Sequence, residues 1–142
     1  MRYQSHVSAR YALDFAGRSE NHSSSGIIVS TGVGSTGWLS SVFNMVNGIN
    51  NLNGVENCTP VRIQPDEEKL FWCVREPFAS RASGTSNVCG FIETGQELVL
   101  ASQMPENGVI FSDGIEADAI EFNTGVIAQI GLADEKAVLV TA

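Results

Sequence analysis

The 142-residue chain has no apolar run near the roughly 18 residues that a membrane-spanning helix requires. Basic charge is scarce as well: 8 Lys and Arg stand against 16 Asp and Glu, a net charge of −8. Binding nucleic acid needs a basic face to neutralise phosphates, so no nucleic-acid partner is expected. The two histidines, His6 and His22, are isolated in polar surroundings. No metal site is predicted from them, and no Ser/His/Asp or Cys/His spacing suggests a hydrolase. The three cysteines, Cys58, Cys73 and Cys89, are odd in number and share no CxxC spacing. Their expected state is free thiols, buried in or beside apolar runs, in a reducing cytoplasm. Met1 to His6 lacks the apolar core of a signal peptide. A cytoplasmic protein with no membrane association is the expectation.

The charge is unevenly spread. Through Asn87 seven acids balance seven bases, and beyond it nine acids face Lys136 alone. Most of these acids read as the solvated face of a sheet.

Gly26 to Trp38 is the most informative stretch. A short apolar run, Gly26 to Ser30, leads into Thr31-Gly32-Val33-Gly34-Ser35-Thr36-Gly37-Trp38 and then into a helix. Glycines let a backbone approach an anion closely, and the free N–H groups of a helix start favour negative charge. One glycine suffices for a tight turn; three with Ser35 and Thr36 point to a ligand loop. The spacing Gly32-x-Gly34-x-x-Gly37 also fits a dinucleotide fingerprint, with Glu56 near the place of a ribose-binding acid. A single helix followed by strands does not fit the repeated α/β alternation which that fold requires. A Walker A loop is excluded because no Lys follows the glycines.

The pattern predicts a mainly β, antiparallel β-sandwich in one domain spanning residues 1–142, with one early helix. His6 to Phe15 alternates as a strand, with Val7, Ala9, Tyr11 and Leu13 on one face. Gly17 to Ser25 reads as a polar turn, and Gly26 to Ser30 as a strand buried on both faces. The helix runs from Thr36 to Asn47, capped by Ser35 or Thr36 and stopped by Gly48. Trp38, Leu39, Val42, Phe43 and Val46 form its apolar stripe. Ile49 to Lys69 reads as an irregular connection or flap outside the core. Strands follow at Leu70–Val74, Val88–Ile92, Glu97–Ala101, Val109–Phe111, Ile115–Phe122, Val126–Leu132 and Ala137–Thr141, with a bulge near Ala119.

Gly26 to Trp38 resembles the D-G-x-I-V-S-T-P-T-G-S-T-A-Y signature of the NAD kinases. Val109-Ile110-Phe111-Ser112-Asp113-Gly114 is similar to that family's V-S-x-D-G-Q, and Asn123-Thr124-Gly125 to its G-D-x-V-x-I end. Pro77 to Arg81 and Ser8 to Tyr11 match more weakly. The resemblance implies the C-terminal sandwich half of a two-domain kinase, which transfers a phosphoryl group from ATP to NAD with Mg²⁺. The G-G-D-G-T motif and the N-E dipeptide of the catalytic α/β half do not occur here. That implies a truncated chain or split gene product, inactive alone and carrying no catalytic residue. Its implied partners are a dinucleotide, the α/β domain and further copies of itself. The implied binding residues are Thr31, Gly32, Gly34, Ser35, Thr36, Gly37, Trp38, Asp113 and Gly114. Ser25 replaces the signature Asp, Gly32-Val33 replaces Pro-Thr, Trp38 replaces Tyr, and Ile115 follows Gly114 where the family has Gln. The alternatives are a nucleotide-binding or assembly domain without catalysis, and half of a related lipid or sugar kinase. Arg10 and Arg81 are candidates for phosphate, but a solvated or ion-paired arginine is the favoured reading of each.

Overall fold

The computed structural model describes residues 7–64, 66–112 and 114–135, apart from the side chain of Glu116. Its strands are β1 (Ala9–Phe15), β2 (Arg18–Ser24), β3 (Ile27–Ser30), β4 (Lys69–Val74), β5 (Cys89–Glu93), β6 (Leu98–Ser102), β7 (Val109–Ser112), β8 (Ile115–Glu121) and β9 (Ile127–Ile130). One α-helix, α1 (Trp38–Leu52), follows β3 after a short 3-10 turn, Val33–Thr36. Every strand pair among the described residues is antiparallel. The protein is mainly β with one early helix. The strand expected at Ala137–Thr141 lies outside the described residues.

The strands form a four-stranded sheet in the order β2-β1-β6-β9, a three-stranded sheet β3-β4-β5, and the β7-β8 hairpin. The larger core unites Tyr11, Leu13, Leu98 and Leu100 of the first sheet with Trp72, Val74 and Ile92 of the second. Two sheets that share such a core stack as a sandwich. The opposite face of the three-stranded sheet carries a second core of Leu39, Ile63, Phe71 and Cys73, with Val42 and Phe43 of α1 packed against it. β4 therefore serves both cores by strict alternation: Trp72 and Val74 to one side, Phe71 and Cys73 to the other. Opposite Trp72, the register places Gly90, where a Cβ would lie 2.9 Å from the indole Nε1. Glycine leaves the room that the indole occupies.

Several expectations change. Gly17 to Ser25 is not a loop but mostly β2, paired with β1 from Ala9↔Ser24 to Phe15↔Arg18. The two-residue turn Ala16-Gly17 has φ of 51° and 75°, the left-handed pair that matches hairpin twist. The polar strand is held by its ladder and by inward-facing His22 and Ser24. The helix does not stop at Gly48; it ends after Leu52, where Gly54 turns left-handed at φ 66°. Nothing lies within 4 Å of a Cβ at Gly48, so the helix passes through it. Neither Ser35 nor Thr36 caps α1; its first turn has no side-chain cap. Residues 53–64 and 66–68 are irregular yet not outside the core, since Ile63 is buried in the second core. The Asn47 amide holds the same segment through the Cys58 N–H at 2.9 Å and the Cys58 carbonyl at 3.2 Å. In the β7-β8 hairpin the register breaks between Ile110↔Ile120 and Ser112↔Ile115, opposite residues 116–119, the region where a bulge is expected.

His22 is fully buried under Tyr11, with ring centroids 5.6 Å apart, and neither ring nitrogen has a well-formed hydrogen bond. Glu20 Oε2 lies 3.2 Å from Nε2, but that carboxylate already accepts the Ser86 and Asn87 N–H groups. Burial consequently pulls the imidazole pKa down, and the Glu20 charge only partly offsets it. Burial also raises the Cys73 thiol to about 11 and the Tyr11 hydroxyl to about 12. An unfolded His takes up a proton near pH ~6.5 that the folded state refuses, so stability declines as pH falls below that value. At the other end, unfolded Cys73 and then Tyr11 lose protons above about pH 9 that the fold retains, and stability declines again. Thermal melts should show a plateau between these limits, with a flatter acid limb in His22→Gln. Identical acid limbs in the two proteins would refute this role for His22.

Candidate functional site

The strand-to-helix connection is exposed at Thr31, Val33, Gly34, Thr36, Gly37 and Trp38, while Gly32 and Ser35 are half-buried. Its internal bonds explain its shape. The Gly32 carbonyl accepts both the Ser35 N–H at 3.3 Å and the Ser35 hydroxyl at 2.7 Å. The Thr31 hydroxyl accepts the Gly34 N–H at 3.2 Å, and the Gly37 N–H donates to the Gly34 carbonyl at 3.0 Å. The connection thus winds as a tight 3-10 turn, and α1 starts with no side chain over its N-terminus.

The three glycines have distinct reasons to be there, and left-handed φ is not among them. A Cβ at Gly32 would sit 2.6 and 2.7 Å from the backbone oxygens of Ile63 and Gln64. Gly32 therefore serves the packing of the 61–64 segment, which covers that side of the loop. A Cβ at Gly34 would point back at the hydroxyls of Ser30, 3.1 Å, and Thr31, 3.5 Å. A larger residue there disturbs the loop from within rather than from its outer surface. At Gly37 the nearest atom would be the Gly34 carbonyl, 3.3 Å away.

Trp38 leaves the expected core stripe and is 51% exposed, whereas Leu39 beside it is buried. The Trp38 ring is covered instead by the Arg75 guanidinium, 4.2 Å from its centroid. A cation over an indole face is a favourable contact, worth about 0.5–2 kcal/mol. On β7, the Phe111 ring centroid lies 6.4 Å from that of Trp38. The two segments named from sequence, 26–38 and 109–114, thereby come together through one aromatic pair. Asp113 lies outside the described residues. Gly114 makes the hairpin turn with φ 74°. Arg10 is exposed on β1, in the sheet remote from α1, and Arg81 lies in the exposed 80–83 turn.

Two depressions adjoin this pair. One, of about 300 Å³, is lined by Trp38, Met45, Val46, Val74, Arg75 and Pro77, among others. The second, of about 280 Å³, lies on the hairpin and is lined by Ile110, Phe111, Ser112, Asp118 and Ile120. Both are shallow and open, and their volumes reach no further than the lower edge of the small-molecule range.

Arg75 and Glu76, which the sequence did not single out, are fixed by Ser25 and Gly26. The Arg75 N–H donates to the Gly26 carbonyl at 2.8 Å, and the Ser25 N–H to the Arg75 carbonyl at 3.0 Å. The Ser25 hydroxyl donates a short hydrogen bond to Glu76 Oε2. Glu76 adopts φ 48°, an uncommon conformation for a residue with a side chain. Parity carried a signal for Arg75: Phe71, Cys73 and Arg75 share the helix-facing side of β4 and its extension. Comparison with models of known protein families finds no match, and comparison with curated proteins finds none either.

Two alanine substitutions separate the roles of glycine. Gly32→Ala forces a methyl group against backbone oxygens and should cost about 1–3 kcal/mol. Gly48→Ala fills open space on the helix and should add up to about 1 kcal/mol. Urea unfolding of the two variants measures both, and shifts of the same sign would contradict the assignment.

Proposed function

We propose that this chain is the dinucleotide-binding sandwich half of an NAD kinase-like phosphotransferase. The meeting of Trp38 with Phe111 carries the reading, because it joins the two segments whose sequences resemble that family's motifs. In this reading the Thr36 hydroxyl and the N–H groups of the uncapped start of α1 face a phosphate, while the N–H groups of Gly34, Ser35 and Gly37 hold the turn itself in shape. The part of the Trp38 indole left exposed beside Arg75, together with the ring of Phe111, offers apolar surface to a base or nicotinamide. The two depressions flanking the aromatic pair suit an extended ligand with two lobes better than a compact one. The family's signature carries a carboxylate where this chain has Ser25. Glu76 supplies one there instead, held by the Ser25 hydroxyl.

The division of labour follows from the residues. This half binds and orients the acceptor. The base would come from an α/β half, and phosphoryl transfer from ATP with Mg²⁺ depends mainly on positioning and charge neutralisation between the two.

Tryptophan fluorescence tests the binding step with the chain as it stands, because Trp38 is exposed and Trp72 is wholly buried. Millimolar NAD should quench the emission saturably, and Trp38→Phe should abolish the quench. Thr36→Ala should weaken binding by about 1.5–3 kcal/mol, on the order of ten- to a hundredfold. A thermal melt checks that both variants fold. Absence of a saturable quench in the parent chain, or equal affinity in Thr36→Ala, would refute the proposal.

A further inference from the structure

The strands β4 and β5 place two cysteines directly opposite one another, Cys73↔Cys89. Residues directly opposite in an antiparallel pair have side chains on the same face. The Val74 N–H donates to the Val88 carbonyl at 2.7 Å, so Val74 and Val88 form a hydrogen-bonded pair. Pairs alternate along such a ladder, which makes Cys73 and Cys89 a non-hydrogen-bonded pair with Cα atoms about 4.5 Å apart. A disulfide bridges Cα separations of about 4.4–6.8 Å, so this position admits one without moving the strands.

The two thiols differ in access. Cys73 is buried in the second core and Cys89 is exposed. Burial and the adjacent Cys89 raise the Cys73 thiol, which marks the two as electrostatic neighbours. Cys58 belongs elsewhere, its sulfur 3.2 Å from the Asn47 amide oxygen.

We propose that Cys73 and Cys89 are a redox-sensitive dithiol that closes to a cross-strand disulfide when a small-molecule disulfide, such as oxidised glutathione, supplies the oxidising equivalents. The exposed Cys89 thiolate attacks one sulfur of the small disulfide, whose S–S bond breaks and releases one thiolate. Cys73 then gives its proton to water and attacks Cys89 Sγ, expelling the second thiolate. Two protein thiols are oxidised to one disulfide while one small disulfide is reduced to two thiols. The bridge closes the loop from Val74 to Val88, which contains the Arg75 that lies over Trp38. Oxidation therefore tightens the strand end beside the candidate site. The chemistry stands whatever that site binds.

The test uses the folded chain and its Cys58→Ser variant, incubated with oxidised glutathione, acid-quenched, then alkylated in denaturant. Both remaining thiols of the variant should disappear together, and peptide mapping should find Cys73 linked to Cys89 within one chain. The oxidised protein should melt on the order of 5–10 °C higher, a gain that dithiothreitol reverses. In Cys89→Ser, whose exposed position tolerates the change, Cys73 should remain a free thiol after the same treatment. A lasting glutathione adduct on Cys89 beside an alkylatable Cys73 would overturn the proposal, as would a bridge found only between chains. The same map of the unsubstituted chain decides the pairing independently of how the variants fold.

Discussion

The arrangement depends on β4 being buried on both faces. Phe71, Trp72, Cys73 and Val74 are all below a tenth exposed, and they alternate between two cores. Trp72 meets Phe15 of β1 edge-on, with centroids 5.4 Å apart, which ties the two sheets together. Phe71 lies 6.2 Å from Phe43 of α1, which ties the helix to the outer side of the same strand. A central strand with apolar side chains on both faces fixes its register firmly, because a one-residue slip would exchange the two sets. The helix-side part of the candidate site hangs from this strand, while Phe111 comes from the separate β7-β8 hairpin. The C-terminal end of β4 delivers Arg75 and Glu76, and its neighbour β3 delivers the Thr31–Trp38 turn.

The site itself is built at the margin of that scaffold. Its loop is shaped by bonds among Thr31, Gly32, Ser35 and Gly37 rather than by a ligand, and the outer surface stays open. Trp38 is the first residue of α1, yet it turns away from the core and lies between a guanidinium and an aromatic ring. From Asn21 to Val55 the chain carries no Asp, Glu, Lys or Arg. In a protein of net charge −8, such a neutral zone lowers the repulsion that an anionic ligand meets. Arg75 lies over the indole face, and in the proposed reading it adds attraction at the point where a phosphate-bearing ligand would arrive.

Much of this architecture was legible in the residues. Leu70 to Val74 reads as a strand, and Tyr11 and Leu13 share the inward parity of β1; burial on both faces was expected of Gly26 to Ser30, where Ile27 to Val29 are only half-buried, and belongs instead to β4. The turns at Glu93-Thr94-Gly95 and Asn123-Thr124-Gly125 punctuate the later strands. β2 was hidden because Arg18 to Ser24 contains no apolar residue; its pairing comes from the Ala16-Gly17 turn, and Ala is a poor advertisement for positive φ. The length of α1 was hidden because Gly48 carries a stop signal, whereas the hydrogen bonds of Asn47 and Asn50 to residues 55–58 and the left-handed turn at Gly54 set the end later. The loop was found by its glycines, but their reason differs: Gly32 makes room for the backbone of 61–64, a contact between distant segments that spacing cannot reveal. Arg75, Glu76 and Phe111 were missed as site residues for the same cause. Their nearness to Trp38 and Ser25 is set by strand register across β3 and β4 and by the hairpin's placement, not by any local pattern.

The proposed reading requires that the Thr31–Trp38 turn and the β7 strand form one surface for a single dinucleotide. Amide correlation spectra of the isotopically labelled chain, recorded while NAD is titrated in, test it most directly. The amides of residues 31–38, those of 109–112 and the Trp38 indole N–H should shift together along one binding curve. Shifts confined to one of these segments, or following separate curves, would contradict it.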